Sequence, residues 1–94
     1  MSARGILLRS AELLEQNGWC QGAFMQSGRM CAAGAMMQAE TEQDDHWTAS
    51  GYHEAQIAMA ETIGAVSIPF WNDAPERTAE DVILAFKRAA EQFE

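Results

Sequence analysis

Cys20, Cys31, His46 and His53 are all the cysteines and histidines of the chain. They are also the only set whose residue types suggest metal or thiol chemistry. Two thiolates and two imidazoles can hold tetrahedral zinc. Their separations are ten, fourteen and six intervening residues, with no compact knuckle. A zinc site on these four residues is therefore the alternative reading, and the metal in it is structural because no coordination position stays open. A nucleophile pair of Cys20 with His53 lacks any local motif for an oriented base or for oxyanion donors. Surplus negative charge also raises a thiol pKa, opposite to what a nucleophile needs. The leading expectation is two free thiols packed as small hydrophobes, with a disulfide second. His46 is expected solvated among acids, where imidazolium is favoured.

Carboxylates are the other abundant group. The formal charge is −8, and all of it can be placed in the middle of the chain. Between Arg29 and Arg77 there is no Lys or Arg but there are eight acids, whereas the two ends carry six acids and six bases. Glu40, Asp44 and Asp45 could attract a divalent cation, yet their spacing lacks the fixed glycine and terminal Glu of a calcium loop. No glycine-rich phosphate cradle follows a strand. Scattered bases form no stripe that could track a nucleic-acid backbone. A central acidic field instead repels nucleic acid and anionic membrane and steers basic partners. Glu40, Asp44, Asp45, Glu54 and Glu61 are the expected partner contacts. Met36, Met37 and their neighbours are the second choice of interface.

Trp71-Asn72-Asp73-Ala74-Pro75 has two readings. As a recognition loop, its indole, amide and carboxylate offer stacking and directional hydrogen bonds. As a structural loop, the favoured reading, Asn72 and Asp73 bond to backbone N–H groups two residues on and fix the turn before Pro75. Trp71 then plugs the core. This string, followed by Arg77-Thr78, together with Gly18-Trp19-Cys20-Gln21-Gly22, Cys31 and Gly34-Ala35, resembles a small domain-of-unknown-function family of actinobacterial and phage proteins. The resemblance covers most of the chain. It implies a bacterial or phage cytoplasmic domain and brings no catalysis or cofactor with it.

The elements that must position these groups are mostly helices. Leu7, Ala11 and Leu14, widened by Ile6 and Leu8, predict a helix from about Ala3 to Gln16, stopped at Asn17-Gly18. Trp19 to Gly28 is irregular and packed down, with room for a short two-stranded ribbon across Gln26-Ser27-Gly28. Met30 to Glu40 predicts a second helix of small residues, where Gly34 permits a close approach to Trp19 or another helix. A third helix starts at Asp44, Asp45 or Ser50, carries Tyr52, Ala55, Met59 and Ile63 on its apolar stripe, and ends at Gly64. Pro69 argues against a central strand, so Val66 to Phe70 reads as an extended crossing segment. Thr78 and Asp81 form a near-capping box for a last helix from Ala79 to Gln92, with Val82, Phe86, Ala89 and Phe93 buried.

Ninety-four residues make one domain, 1–94. The fold class expected is all-α: a compact four-helix domain with an irregular segment between helices 1 and 2. Its apolar inventory is lean, so a homodimer or a partner would supply burial, and a compact monomer serves equally. Neither a signal peptide nor a run of about 20 apolar residues is visible, which sets the cytoplasm as the expected location. The functional expectation is a non-enzymatic, cofactor-free protein-interaction domain for a partner with a basic surface, such as a phage-type inhibitor or decoy of a basic, nucleic-acid-binding host protein. No direct contact with nucleic acid or membrane is expected.

Overall fold

A computed structural model describes residues 2–42 and 49–93. The first helix, α1, runs Ala3–Asn17. Ser2 starts it by accepting the Gly5 N–H on its hydroxyl at 3.1 Å. Gly18 stops it with φ of 95°, a backbone that a side chain would strain, while its N–H bonds the Leu14 carbonyl at 2.9 Å. The chain then runs beside the last residue of a small hairpin: β1 is Met25–Gln26 and β2 is Arg29–Met30, paired antiparallel. Ser27 and Gly28 make the turn with φ of 52° and 83°, the positive values that a two-residue hairpin turn requires. On its other side β2 meets Trp19 in a single parallel bridge to Met30. The chain is thus mostly helical with a two-stranded sheet, not purely helical.

The helix α2 is Ala32–Thr41, opened by Cys31, whose Sγ accepts the Gly34 N–H at 3.3 Å. Met30 belongs to β2 instead. The helix α3 is Ala49–Ile63, buried along Ala55, Ala58 and Met59. The helix already includes Ser50, so Ser50 is not its cap, and Asp44 and Asp45 lie outside the described residues.

Residues 66–70 correct the expectation of an extended crossing. They enter a short helix, α4, Ile68–Asn72. The Ser67 hydroxyl accepts the Phe70 N–H at 3.2 Å. Pro69 sits in the first turn, where its missing N–H has no intrahelical partner to lose. The helix α5 is Ala79–Ala90. Its capping box is reciprocal: Thr78 Oγ1 accepts from the Asp81 N–H at 3.2 Å, and Asp81 Oδ2 accepts from the Thr78 N–H at 3.1 Å. Beyond Ala90 the chain tightens into a 3₁₀ turn, Glu91–Phe93, which turns Phe93 half out to solvent rather than into the core.

The helix α1 lies at the centre and packs against α2, α3 and α5. Its Ile6 and Leu7 meet Met36, Met59, Val82 and Phe86 in one continuous core. Alanines fill the helix contacts, so the core stays thin and backbones come close.

Candidate functional site

The Trp71–Pro75 loop is organised by Asn72, not by Trp71. Asn72 is fully buried, whereas Trp71 is only partly buried and carries the Arg77 guanidinium over its ring at 4.0 Å. Asn72 makes long-range bonds instead of the local turn bonds expected. Its Oδ1 accepts from the Trp19 indole N–H at 2.6 Å and from the Ala32 N–H at 2.9 Å. Its Nδ2 donates to the Cys20 carbonyl at 3.1 Å and to Asp73 Oδ1 at 3.0 Å. Asp73 also accepts the Gly22 N–H at 3.0 Å, and this bond, then the Asn72 amide, holds its carboxyl below the usual range. Gln21 adds bonds to the Asn72 and Ala74 carbonyls. Pro75 is exposed beyond this knot. Asn72 therefore ties α4 to the 19–31 segment and to the start of α2, and has no hydrogen-bonding group left over for a ligand.

Cys20 and Cys31 are both free and buried. Cys20 lies under the hairpin loop, its thiol directed at the Ala23 and Arg29 carbonyls at 3.4 and 3.7 Å. Burial first, then the neighbouring Cys31 and Asp73, pushes its pKa up. His53 is exposed on α3 and faces a different part of the surface. Among the described residues no three His, Cys, Asp or Glu side chains gather as a metal site. Cys20, Cys31 and His53 are therefore not brought together as the zinc alternative required, and His46 lies outside the described residues.

An apolar cleft of about 590 Å³ lies between α2, α3 and the start of α4. Met36, fully buried, lies at its base, and Met37, its neighbour in sequence, is left half out because successive helix positions differ by about 100°. From α3 come Tyr52, His53, Gln56, Ile57 and Ala60. Phe24, immediately before β1, and Val66, before α4, complete its walls. Eight large apolar side chains are markedly exposed among the described residues, and four of them, Phe24, Met37, Ile57 and Val66, line this one cleft. Scattered apolar residues are ordinary on a surface, but a gathered set marks contact.

The expected acidic contacts divide around this cleft. Glu54 and Glu61 are exposed on α3, three residues before and four after Ile57, so helical geometry puts both on its face. Glu40 is half-buried near Tyr52, whose pKa is raised by burial first and by Glu40 second. Asp44 and Asp45 lie outside the described residues. Glu42 is engaged in a fork with Arg9 at 2.9 to 3.1 Å. Among the described residues no Lys or Arg lines the cleft. Sequence reasoning reached Met36 and Met37 but missed Ile57 and Val66, and it expected the segment holding Phe24 to be packed down, whereas residues 21–29 are exposed and Phe24 is 53% exposed. The available signal was Ile57, an apolar residue on the face that Glu54 and Glu61 mark as polar.

No described helix is long and apolar enough to cross a membrane. Neither a curated protein nor a solved structure matches the chain. A family model does match residues 1–92, a span that runs from α1 through α5. The chain therefore belongs to that family, DUF6197, a family of unknown function.

Proposed function

We propose that this chain is a non-enzymatic protein-interaction domain that takes a partner with a basic surface. The observation that supports this most is the coincidence of the apolar cleft with carboxylates. Phe24, Met37, Ile57 and Val66 expose apolar area in one place, and Glu54 and Glu61 flank Ile57. An interface of this composition gains contact energy from its apolar centre, and gains association rate and selectivity from its charges. A partner that normally holds nucleic acid presents the complementary positive field, so the domain acts on it as an inhibitor or decoy. In the actinobacterial or phage cytoplasm that the motif resemblance implies, that partner is a host protein.

Capture from host lysate with immobilised wild-type protein, a Glu54→Lys/Glu61→Lys variant and an Ile57→Ser variant tests the reading. The same basic protein should be retained by wild type, be weakened by added salt, and be lost from both variants. Equal recovery on all three baits refutes the cleft and its acids as the interface.

A further inference from the structure

We infer that the occupant of the cleft is an amphipathic α-helix of the partner, apolar on the face that enters and bearing Lys or Arg on its borders. This rests on the protein-interaction reading above and names the element that docks. Two features select a helix. The first is hydrogen bonding. The long walls of the cleft are α2 and α3, whose interior backbone groups are satisfied within each helix. Among the described residues the polar side chains on its lining are Tyr52, His53, Gln56 and Ser67, and the Ser67 hydroxyl already caps α4. An extended segment laid here would bury N–H and C=O groups without partners, whereas a helix brings its own satisfied. Strand addition has little to build on, because β1 is two residues long.

The second feature is length. Tyr52, Gln56 and Ala60 form one row along α3, with His53 and Ile57 beside it. Eight residues of helix span about 12 Å, which matches anchors at i, i+3 or i+4, and i+7 on an entering helix. The methionines Met36 and Met37 adapt to whatever apolar shapes those anchors have. Glu54 and Glu61 lie on the α3 side, and Glu40 lies near Tyr52. Basic residues on the borders of the entering helix meet those carboxylates, and among the described residues no Lys or Arg on the lining opposes them. A second copy of this chain is a poor occupant, since each copy carries −8.

The test uses the isotopically labelled full chain and two synthetic peptides of about 15 residues, a length at which an isolated helix is marginal. Both contain the same leucines and lysines. One places Leu at i, i+3, i+4 and i+7, and the other is scrambled. The patterned peptide should become helical on binding and shift the resonances of Met37, Ile57, Ala60 and Val66. Its affinity should fall about tenfold or more in Ile57→Ser and in Glu54→Lys/Glu61→Lys. Equal binding by the scrambled peptide, shifts away from the cleft, or no binding by either peptide overturns the inference. The two readings can fail separately. If the patterned peptide does not bind but charge reversal still abolishes partner capture, the helical occupant is wrong and the interaction domain stands. If the peptide seats in the cleft while partner capture ignores charge reversal, the helix site stands and the acidic reading falls.

Discussion

The indole N–H of Trp19 donates to Oδ1 of Asn72 at 2.6 Å across fifty-three residues of chain. The same oxygen receives the Ala32 N–H, so one buried amide fixes the end of α1, the start of α2 and the end of α4 relative to one another. This knot sets where Pro69 and Ile68 meet α2, and so shapes one end of the apolar cleft.

Asn72→Ala should be among the most damaging single changes. It strands the Trp19 indole N–H, the Ala32 N–H and the Cys20 carbonyl, each in a buried or half-buried place. A loss of about 3 kcal/mol or more is expected in urea unfolding. Asn72→Asp keeps the acceptor but loses the donor and sets a carboxylate beside Asp73, so it should be worse at neutral pH and partly relieved in acid. A loss below 1 kcal/mol for Asn72→Ala would remove this residue from the centre of the fold.

Gly34→Ala should destabilise despite alanine's better helix propensity, worth about 1 kcal/mol. A Cβ at Gly34 meets the Phe24 carbonyl, which already accepts the Cys31 N–H. The close approach foreseen for Gly34 is thus to the Phe24 backbone just before β1, not to Trp19 or another helix. The obstacle is main chain, so relief requires moving the hairpin, and a net loss of about 1–3 kcal/mol should appear in thermal or urea melts.

Acid should weaken the Asp73 and Glu42 contacts. Both carboxyls have pKa values held below their ordinary ones, Asp73 by the Gly22 N–H and then Asn72, Glu42 by Arg9. A depressed folded-state pKa gives stability that is present above the unfolded value, about 4, and lost as pH falls through the folded one. The stability gap between wild type and Asp73→Asn should therefore narrow on titrating from pH about 6 to about 2. Glu42→Gln should show a smaller gap that salt erodes, because that pair lies at the surface and is partly exposed. A gap that widens in acid contradicts the assignment.

Val66→Ser should leave unfolding free energy within about 0.5 kcal/mol of wild type, since that side chain is already in water, and Ile57→Ser should cost only about 1 kcal/mol, since Ile57 is about half exposed. Their effect belongs to binding. A large loss of stability from either would make the cleft a structural feature instead.

Cys20 should alkylate slowly in the native protein at pH about 8, compared with an unstructured thiol. Its thiol is buried and its pKa is raised, so both access and thiolate fraction are low. Urea should remove the difference. Fast native labelling at Cys20, located by peptide mapping, would place the hairpin loop in an open state.

Elements held by contacts within a few residues were legible without the structure. Thr78 and Asp81 satisfy each other three positions apart, Gly18 closes α1 on Leu14, and Ser27-Gly28 makes a two-residue turn. Such signals are local hydrogen bonds and backbone angles, so residue type and spacing carry them. The charge field is equally a property of the string. The role of Asn72 was not legible, because its partners lie 40 to 53 residues away and an Asn beside Asp and Pro reads equally well as a local turn. Pro69 excluded a central strand, but whether the segment became extended or helical was decided by the cap at Ser67 and by packing on α2. The cleft was decided by tertiary structure alone. Met36 and Met37 are the same residue type side by side, and Ile57 is as apolar as the core residues near it. Only the docking of α2 against α1, and of α4 and the segment before β1 around them, determines which is covered and which is left exposed.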